Sequence, residues 1–542
     1  MSKFLYLVAC LAFAGVLLSG ARAAELAVLA QPGPWPVADH LIAYRGQIWF
    51  STAVKGVDHN SADVWRFDPE TQTASFERYL FSQDTGRPAV HEGLLFWPHE
   101  DMRVGLGAGV TSVTNGTEWR DLFVPSTDHM MHTHALVPWR GGLVAAMAGW
   151  NSVLARSDDA GQSWQILAND PPQSGSFHRY NDVAVLGDRL FVRHWQNTGL
   201  TLAEYRDGQV VPVEDWAQGH YFTALTPFAG ALYALVDDQD GARQLWRIAD
   251  DGPRRVETAP KDLNANFLFH DGETLWAMVR DKDGGQLWSS KDGSTFVAGD
   301  RVRGGVPTSA AALGPGRIYI GGAGIDGKAI LWGPTDGTPV VQGEAAALPD
   351  QGNLVEWPFD VEADRARLLA ALGDVKNYQG HGRPLRDLLS EVTVSKPPPG
   401  FLASLLQADM PAGEVEVFGG RFSVAARDIA TWHILAAMAR VGDPTVPVAV
   451  LSADWTREAN RPQKWFDALL IGLHAVQLSG QNDRPTVEAL IGRLDRPNDP
   501  DWLLSQVTGT LSAVTGMPFA YDKTAWKEWW ESAQKTWPSD AS

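Results

Sequence analysis

Leu41-Ile-Ala-Tyr-Arg-Gly-Gln-Ile-Trp-Phe50 is an apolar run, a glycine turn and a second apolar run. The same unit returns as Ala89-Val-His-Glu-Gly-Leu-Leu-Phe96, Ala135-Leu-Val-Pro-Trp-Arg-Gly-Gly-Leu-Val144 and Val183-Ala-Val-Leu-Gly-Asp-Arg-Leu-Phe191. It recurs again at Ala224–Tyr233, Phe267–Trp276 and Ala310–Tyr319. The turn glycines, Gly46, Gly93, Gly141, Gly187, Gly230, Gly272 and Gly316, stand 42 to 48 residues apart. That period fits a four-stranded propeller blade, and no helical periodicity interrupts it. The second half of each unit carries its own turn, such as Asn115-Gly116, Asp207-Gly208, Asp251-Gly252, Asp292-Gly293 and Asp336-Gly337. Asp or Asn before Gly supplies the positive φ that a tight hairpin needs. Residues 30–345 are therefore expected to form an all-β, seven-bladed propeller. Trp65, Trp246, Trp288 and Trp332 hold matching places in their repeats, which marks them as blade-packing residues.

Past Gly343 the pattern changes. Leu368–Leu372, Ile429–Met438, Trp465–Leu478 and Val487–Leu494 place apolar residues at helical spacing, divided by Lys396-Pro-Pro-Pro-Gly400, Asp443-Pro444 and Asn498-Asp-Pro500. Residues 346–542 are expected to be a smaller all-α, irregular helical domain. Trp526, Trp529 and Trp530 share one helix face, the arrangement of a core-facing stripe.

At the N-terminus, Lys3, an apolar run from Phe4 to Leu18 and Ala21-Arg22-Ala23 make up a secretory leader cleaved near Ala23. Residues 1–23 are set aside as a signal peptide, and a periplasmic or secreted location is expected. Cys10 is the only cysteine, so the processed chain has no disulfide, thiolate metal site or cysteine nucleophile. The net charge of −19 becomes more negative once Lys3 and Arg22 leave. An acidic surface without basic blocks disfavours nucleic acid and anionic membranes as partners. The apolar run is too short for a comfortable membrane span, and no other stretch approaches the required length.

Ser157-Asp158-Asp159-Ala160-Gly161-Gln162-Ser163-Trp164 follows the pattern S-x-D-x-G-x-x-W; Ser112–Trp119 is a copy with Thr114 for the Asp, and Ser290–Phe296 a shortened one. On these motifs residues 30–345 resemble the Asp-box, or BNR-repeat, propellers, a group of sialidases and many non-enzymatic proteins. The resemblance implies a structural turn at the blade edge, remote from any active centre. The final segment, Leu511–Trp530, resembles the closing segment of bacterial HEAT-like repeat proteins in its Thr-Gly, Tyr-Asp and Trp-x-x-Trp, with Val514 in place of a leucine.

In a propeller the residues just before each innermost strand gather at one mouth of the central channel. Reading upstream of the strand pairs gives a candidate ligand-binding ring of His40, Arg87, His132, His134, Arg179, Tyr180, His220, Tyr221 and Asn266. Arginines and neutral imidazoles suit a small polar or anionic ligand, a glycan or a protein partner. The sequence thus points to an exported binding or scaffolding module, with no catalytic residue assigned and no cofactor expected. Two alternatives stand beside it. One is a glycan-active hydrolase or lyase of sialidase-like architecture, which needs two carboxylates across the scissile bond. The other is a transition-metal protein built on His129, His132 and His134.

Overall fold

The computed structural model describes residues 25–538, apart from 54–61, 102–105, 107, 125–129, 150, 172–178, 197–198, 214–220, 238–242, 262, 266, 338–344, 350–358, 418–419 and 456–465. The leader, His129, His220, Asn266 and Trp465 lie outside the described residues.

Alternating apolar runs and glycine turns fold the first part of the chain into antiparallel meanders. The first sheet takes Val37–Tyr44, Gln47–Ala53, Asp63–Asp68 and Thr73–Tyr79 in chain order. Arg179–Leu186 begins a sheet of the same form, as do Tyr221–Phe228 and Leu268–His270. Between the first of these and the rest lies a nine-stranded sheet. Its two halves, Asp84–Thr85 to Trp119–Val124 and Met130–Trp139 to Gln165–Asp170, are joined by one pairing of His132 with Glu100. The last sheet holds Gly305–Ala312, Ile318–Gly324 and Ala329–Gly333, and its outermost strand is Ala27–Ala30 from the start of the chain.

Each sheet packs face to face on the next. Phe191 and Leu202 meet Phe222 and Leu232, Tyr233 and Leu245 meet Leu268 and Leu275, and Met278 and Leu287 meet Ile320 and Trp332. The series closes on itself, because Ala311, Tyr319 and Leu331 pack against Ile48, Phe50 and Phe67 of the first sheet. A circular stack of meanders is a β-propeller-like fold. It also explains why every residue of Gln47–Ala53 is buried, since sheets covered on both faces lose the usual alternation of apolar and polar residues. Of the repeated tryptophans, Trp332 and Trp65 are buried, while Trp246 and Trp288 lie partly buried against the inter-sheet cores.

Arg45 and Gly46, at φ 49° and 73°, show the turn chemistry directly: both central residues are left-handed, as a type I′ hairpin requires. The Asp-rich turn at 157–164 is tied by its own side chains. Ser157 Oγ donates to Asp159 and accepts from the Gly161 N–H, Asp159 accepts from the Ser163 N–H, and Trp164 Nε1 donates to the Gly161 carbonyl. Asp292 repeats the arrangement with Ser290, Ser294 and Thr295.

Helices follow from Val361–Gly373 to Lys523–Ala533. Their starts are set by carboxylate caps at Asp360, Asp467, Asp483 and Asp522, each accepting from backbone N–H groups of the first turn. The expected helix through Trp465–Leu478 thus begins only at Ala468, because Asp467 caps it. A hairpin of Glu414–Val417 and Phe422–Ala425 interrupts the helices, an addition to the all-α expectation. Its short polar-apolar alternation buries Val417 and Val424. Trp526 and Trp530 face the core, with Trp529 packed edge-on to Trp526.

The helical region is fixed to the outer side of the first two strand sets. Tyr79, Phe81, Leu106 and Val110 belong to the same apolar cluster as the helices. Gln477 Nε2 donates to the Tyr79 carbonyl, and His474 stacks on Phe81. Gly509 lies so close to Tyr79 that a Cβ there would sit 2.2 Å from the tyrosine Cβ. The buried carboxylate of Asp63 accepts from Thr52, from Trp65 Nε1 and from the Tyr521 hydroxyl.

Candidate functional site

The innermost strands share an irregularity. Register shifts fall between Asp39 and Ile42, Thr133 and Ala135, Tyr180 and Asp182, Phe222 and Ala224, and Pro307 and Ser309. In the last four the unpaired residue is His134, Asn181, Thr223 or Thr308, and His40 lies within the first. A bulge re-aims the side chain of its extra residue and bends the strand. All of these extra residues are polar, and they stand at the ends where the inner strands begin. His40 adopts φ 52°, with its N–H bonded to Asp39 Oδ1 at 2.9 Å. The other backbone and hydroxyl groups here stitch neighbouring sheets together. Thr308 Oγ1 donates to the Ala38 carbonyl, the Arg87 N–H to the His134 carbonyl, and Arg193 to the Thr223 carbonyl.

The residues expected at the mouth separate into three groups. His132, His134 and Arg179 come together. The two imidazoles stack at 5.2 Å and 9°, His132 Nδ1 lies 3.2 Å from Asp101 and 3.6 Å from Glu100, and Arg179 is 3.7 Å from Glu100 and lies over the Trp195 ring. Burial, with help from Arg179 and Arg193, pushes the His134 imidazole down to about 3, so it is neutral at physiological pH. Tyr221 is 43% exposed, close in this respect to Trp195 at 40% on the preceding sheet. Arg87 and Tyr180 are spent on structure. Arg87 Nε donates to Asp182 at 2.8 Å and another of its nitrogens reaches the Val183 carbonyl, whereas Tyr180 is fully buried with its hydroxyl on Asp170.

Further arginines, not singled out in the sequence, belong to the same end. Arg193 is paired in register with Asp182, and burial lowers its pKa, with Asp182 opposing and Arg87 adding. Arg243 grips Asp237 through two nitrogens and donates to the Ala265 carbonyl. Arg280 has its pKa lowered by burial and by Arg243, against the pull of Asp39. Second strands end where first strands begin, which is the one signal that could have found them.

Among the polar atoms buried here without a hydrogen-bond partner among the described residues are His134 Nε2, Asn181 Oδ1, Arg193 Nε and Arg280 Nε. Each such atom costs about 1–3 kcal/mol unless something answers it. Among the described residues no group of three or more His, Cys, Asp or Glu is arranged to hold a metal ion. Among them, too, no helix is long and apolar enough to cross a membrane. At the opposite end of the sheets a groove of about 610 Å³ runs past Asp271, Trp276, Lys291 and Asp292. Its aspartates are taken up by their own turns.

No protein-family profile and no curated protein matches the chain. Solved structures similar to it include YCF48 bound to D1 peptide, at 14% identity and a TM-score of 0.37, with 58% of this chain and 95% of that one covered. The β-propeller domain of the trilobed protease from Pyrococcus furiosus matches at 7% and 0.38, covering 58% and 97%. A prolyl endopeptidase structure matches at 13% and 0.34, covering 55% of this chain and 50% of its own. Likeness at this level carries no function across.

Proposed function

We propose that the chain is an exported binding module: a seven-bladed propeller over residues 30–345 whose channel mouth receives a small polar or anionic ligand, with the helical region over 346–542 as a scaffold fixed to its side. The count of seven is supported by taking the nine-stranded sheet as two four-stranded meanders like the others, with the two-residue strand Asp84–Thr85 as an addition to the first. The self-bonded turns at Asp159 and Asp292 support kinship with the Asp-box propellers. Removal of residues 1–23 would leave a cysteine-free chain suited to the periplasm or the medium.

The observation that carries the binding role is the set of buried, unanswered polar atoms at the bulged strand starts. A core that leaves a guanidinium nitrogen, an imidazole nitrogen and an amide oxygen unpaired in one place is unfavourable by itself, and a ligand bearing both donors and acceptors relieves it. Arg87 and Tyr180 belong to the framework, and the ligand is met by His134, Asn181 and Arg193, with Trp195 and Tyr221 as exposed rings for a carbon skeleton.

The test is a thermal-shift and calorimetric screen of sugars, sugar acids and small anions on the processed protein, repeated with Arg193→Gln and Asn181→Leu. A ligand that raises the melting temperature of the native protein and loses affinity tenfold or more in both variants is the expected result. Binding that is indifferent to both substitutions would place the site elsewhere and sink the proposal.

A further inference from the structure

We infer that the mouth takes its ligand by a carboxylate group and that Arg280 receives it; this rests on the reading of the mouth given above. Arg280 stands one residue from the end of Leu275–Asp281, with its backbone held on both sides by one side chain. Asn264 Oδ1 accepts from the Arg280 N–H at 2.6 Å, and Asn264 Nδ2 donates to the Arg280 carbonyl at 2.9 Å. The peptide is pinned, yet among the described residues no hydrogen bond or ion pair reaches the guanidinium, whose Nε is buried. Its electrostatic neighbours are Arg243 and Asp39, from different sheets, which sets the group at the channel end of its strand. Arg243 cannot share its counter-charge, since Asp237 and the Ala265 carbonyl already occupy it. A guanidinium stays charged in any protein environment, so a half-buried one beside another cation gains most from an incoming anion.

The surrounding charges select the anion. Arg87 answers Asp182, Arg243 answers Asp237 and Arg179 faces Glu100, so among the described residues of the mouth the cationic surplus falls to Arg193 and Arg280. Asp39 stands close to Arg280, and Asp182 to Arg193. A singly charged, planar carboxylate matches one guanidinium fork without the repulsion that a doubly charged phosphate would meet from these acids. The orphaned atoms of His134, Asn181 and Arg193 then fit hydroxyl or amino groups elsewhere on the ligand. The ligand class is a small hydroxy or amino carboxylic acid, sugar acids included.

Four probes decide the matter: D-gluconate, L-lactate, inorganic phosphate and D-glucose, titrated calorimetrically into the full chain and into Arg280→Gln, Arg280→Lys and, as a control, Arg303→Gln, an exposed arginine at the end of the outer strand Val297–Arg303 that pairs with Glu25. The expected result is carboxylate binding at least tenfold tighter than phosphate, lost at least tenfold in Arg280→Gln, partly kept in Arg280→Lys and unchanged in the control. Phosphate binding as tightly as the carboxylates, or carboxylate binding unchanged in Arg280→Gln, overturns the inference. Should Arg280→Gln fail to fold, the fork-less Arg280→Lys variant still reports: undiminished carboxylate affinity there counts against Arg280 as a bidentate anchor. If D-glucose binds in an Arg193-dependent way and no carboxylate does, the mouth is a binding site and the carboxylate inference alone falls. If none of the probes binds, the carboxylate inference is rejected, and the wider screen above judges the mouth.

Discussion

Tyr521→Phe removes one oxygen from the seam between the strands and the helices. That hydroxyl donates to the Asp63 carboxylate and accepts from Trp35 Nε1 at 3.2 Å. Burial raises the Asp63 pKa to about 7, against the lowering effect of hydrogen bonds from Thr52, Tyr521 and Trp65. Its folded pKa therefore exceeds the unfolded carboxylate value of about 3.9. Between those two values the native state holds a proton that the unfolded state has lost. The Asp63 contribution is thus fully present below about pH 4, declines as pH rises to about 7, and is flat above that. At pH 5 the lost bond is to a neutral acid, at a cost of about 1 kcal/mol; at pH 8.5 it is to a buried carboxylate, at a cost of about 1.5–3 kcal/mol. Urea unfolding of wild type and variant at both pH values measures the difference. A penalty larger by about 1 kcal/mol at pH 8.5 is expected. Equal penalties would show Asp63 in one protonation state throughout and refute the argument from burial, and no penalty at either pH would show that the contact does not hold the two regions together.

Gly509→Ala presses a methyl group into Tyr79 across the same seam and should cost about 1–3 kcal/mol, read as a lower urea midpoint. Asp159→Ala strips the acceptor from the 157–164 turn, and a loss of about 1 kcal/mol is expected in thermal unfolding, with ligand affinity unchanged because the turn is remote from the mouth. His99 and His433 are pushed down to about 4 by burial, and His134 and His474 to about 3. Depressed imidazole pKa values mean stability that is complete above about pH 6.5 and lost as pH falls toward 4, because the unfolded chain takes up protons the native one refuses. Asp63 and Glu77, both pushed up to about 7 by burial, work the other way in this window but are two groups against four imidazoles, so unfolding free energy measured at pH 4.5 should lie below that at pH 7.

The strand repeat was legible because tight turns require particular residues: a left-handed pair such as Arg45 and Gly46 leaves its glycine in the sequence. Trp332 and Trp526 were legible as core because apolar periodicity is a burial signal. The bulges were not, since an extra residue in one strand is defined by its partner's register rather than by its own type. His134 and Asn181 were reached only as polar residues near strand starts. Arg193 and Arg280 sit on second strands, and nothing local ties them to a mouth assembled from other repeats. The seam was least legible of all. Asp63 and Tyr521 are far apart in the chain, and Gly509 differs from any other helical glycine only through the tyrosine it meets.

The pairing of Val28 with Trp332 sets an order of events for the chain as it is made. The strand synthesised first waits, edge exposed, until the last repeat exists, and contacts spanning most of the chain are slow to form. Joining Ala27–Ala30 directly after Gly333 by circular permutation would turn this closure into a local hairpin. The ring would then close faster around the same final contacts, and the interval in which an unpaired strand can be captured by a neighbouring molecule would shrink.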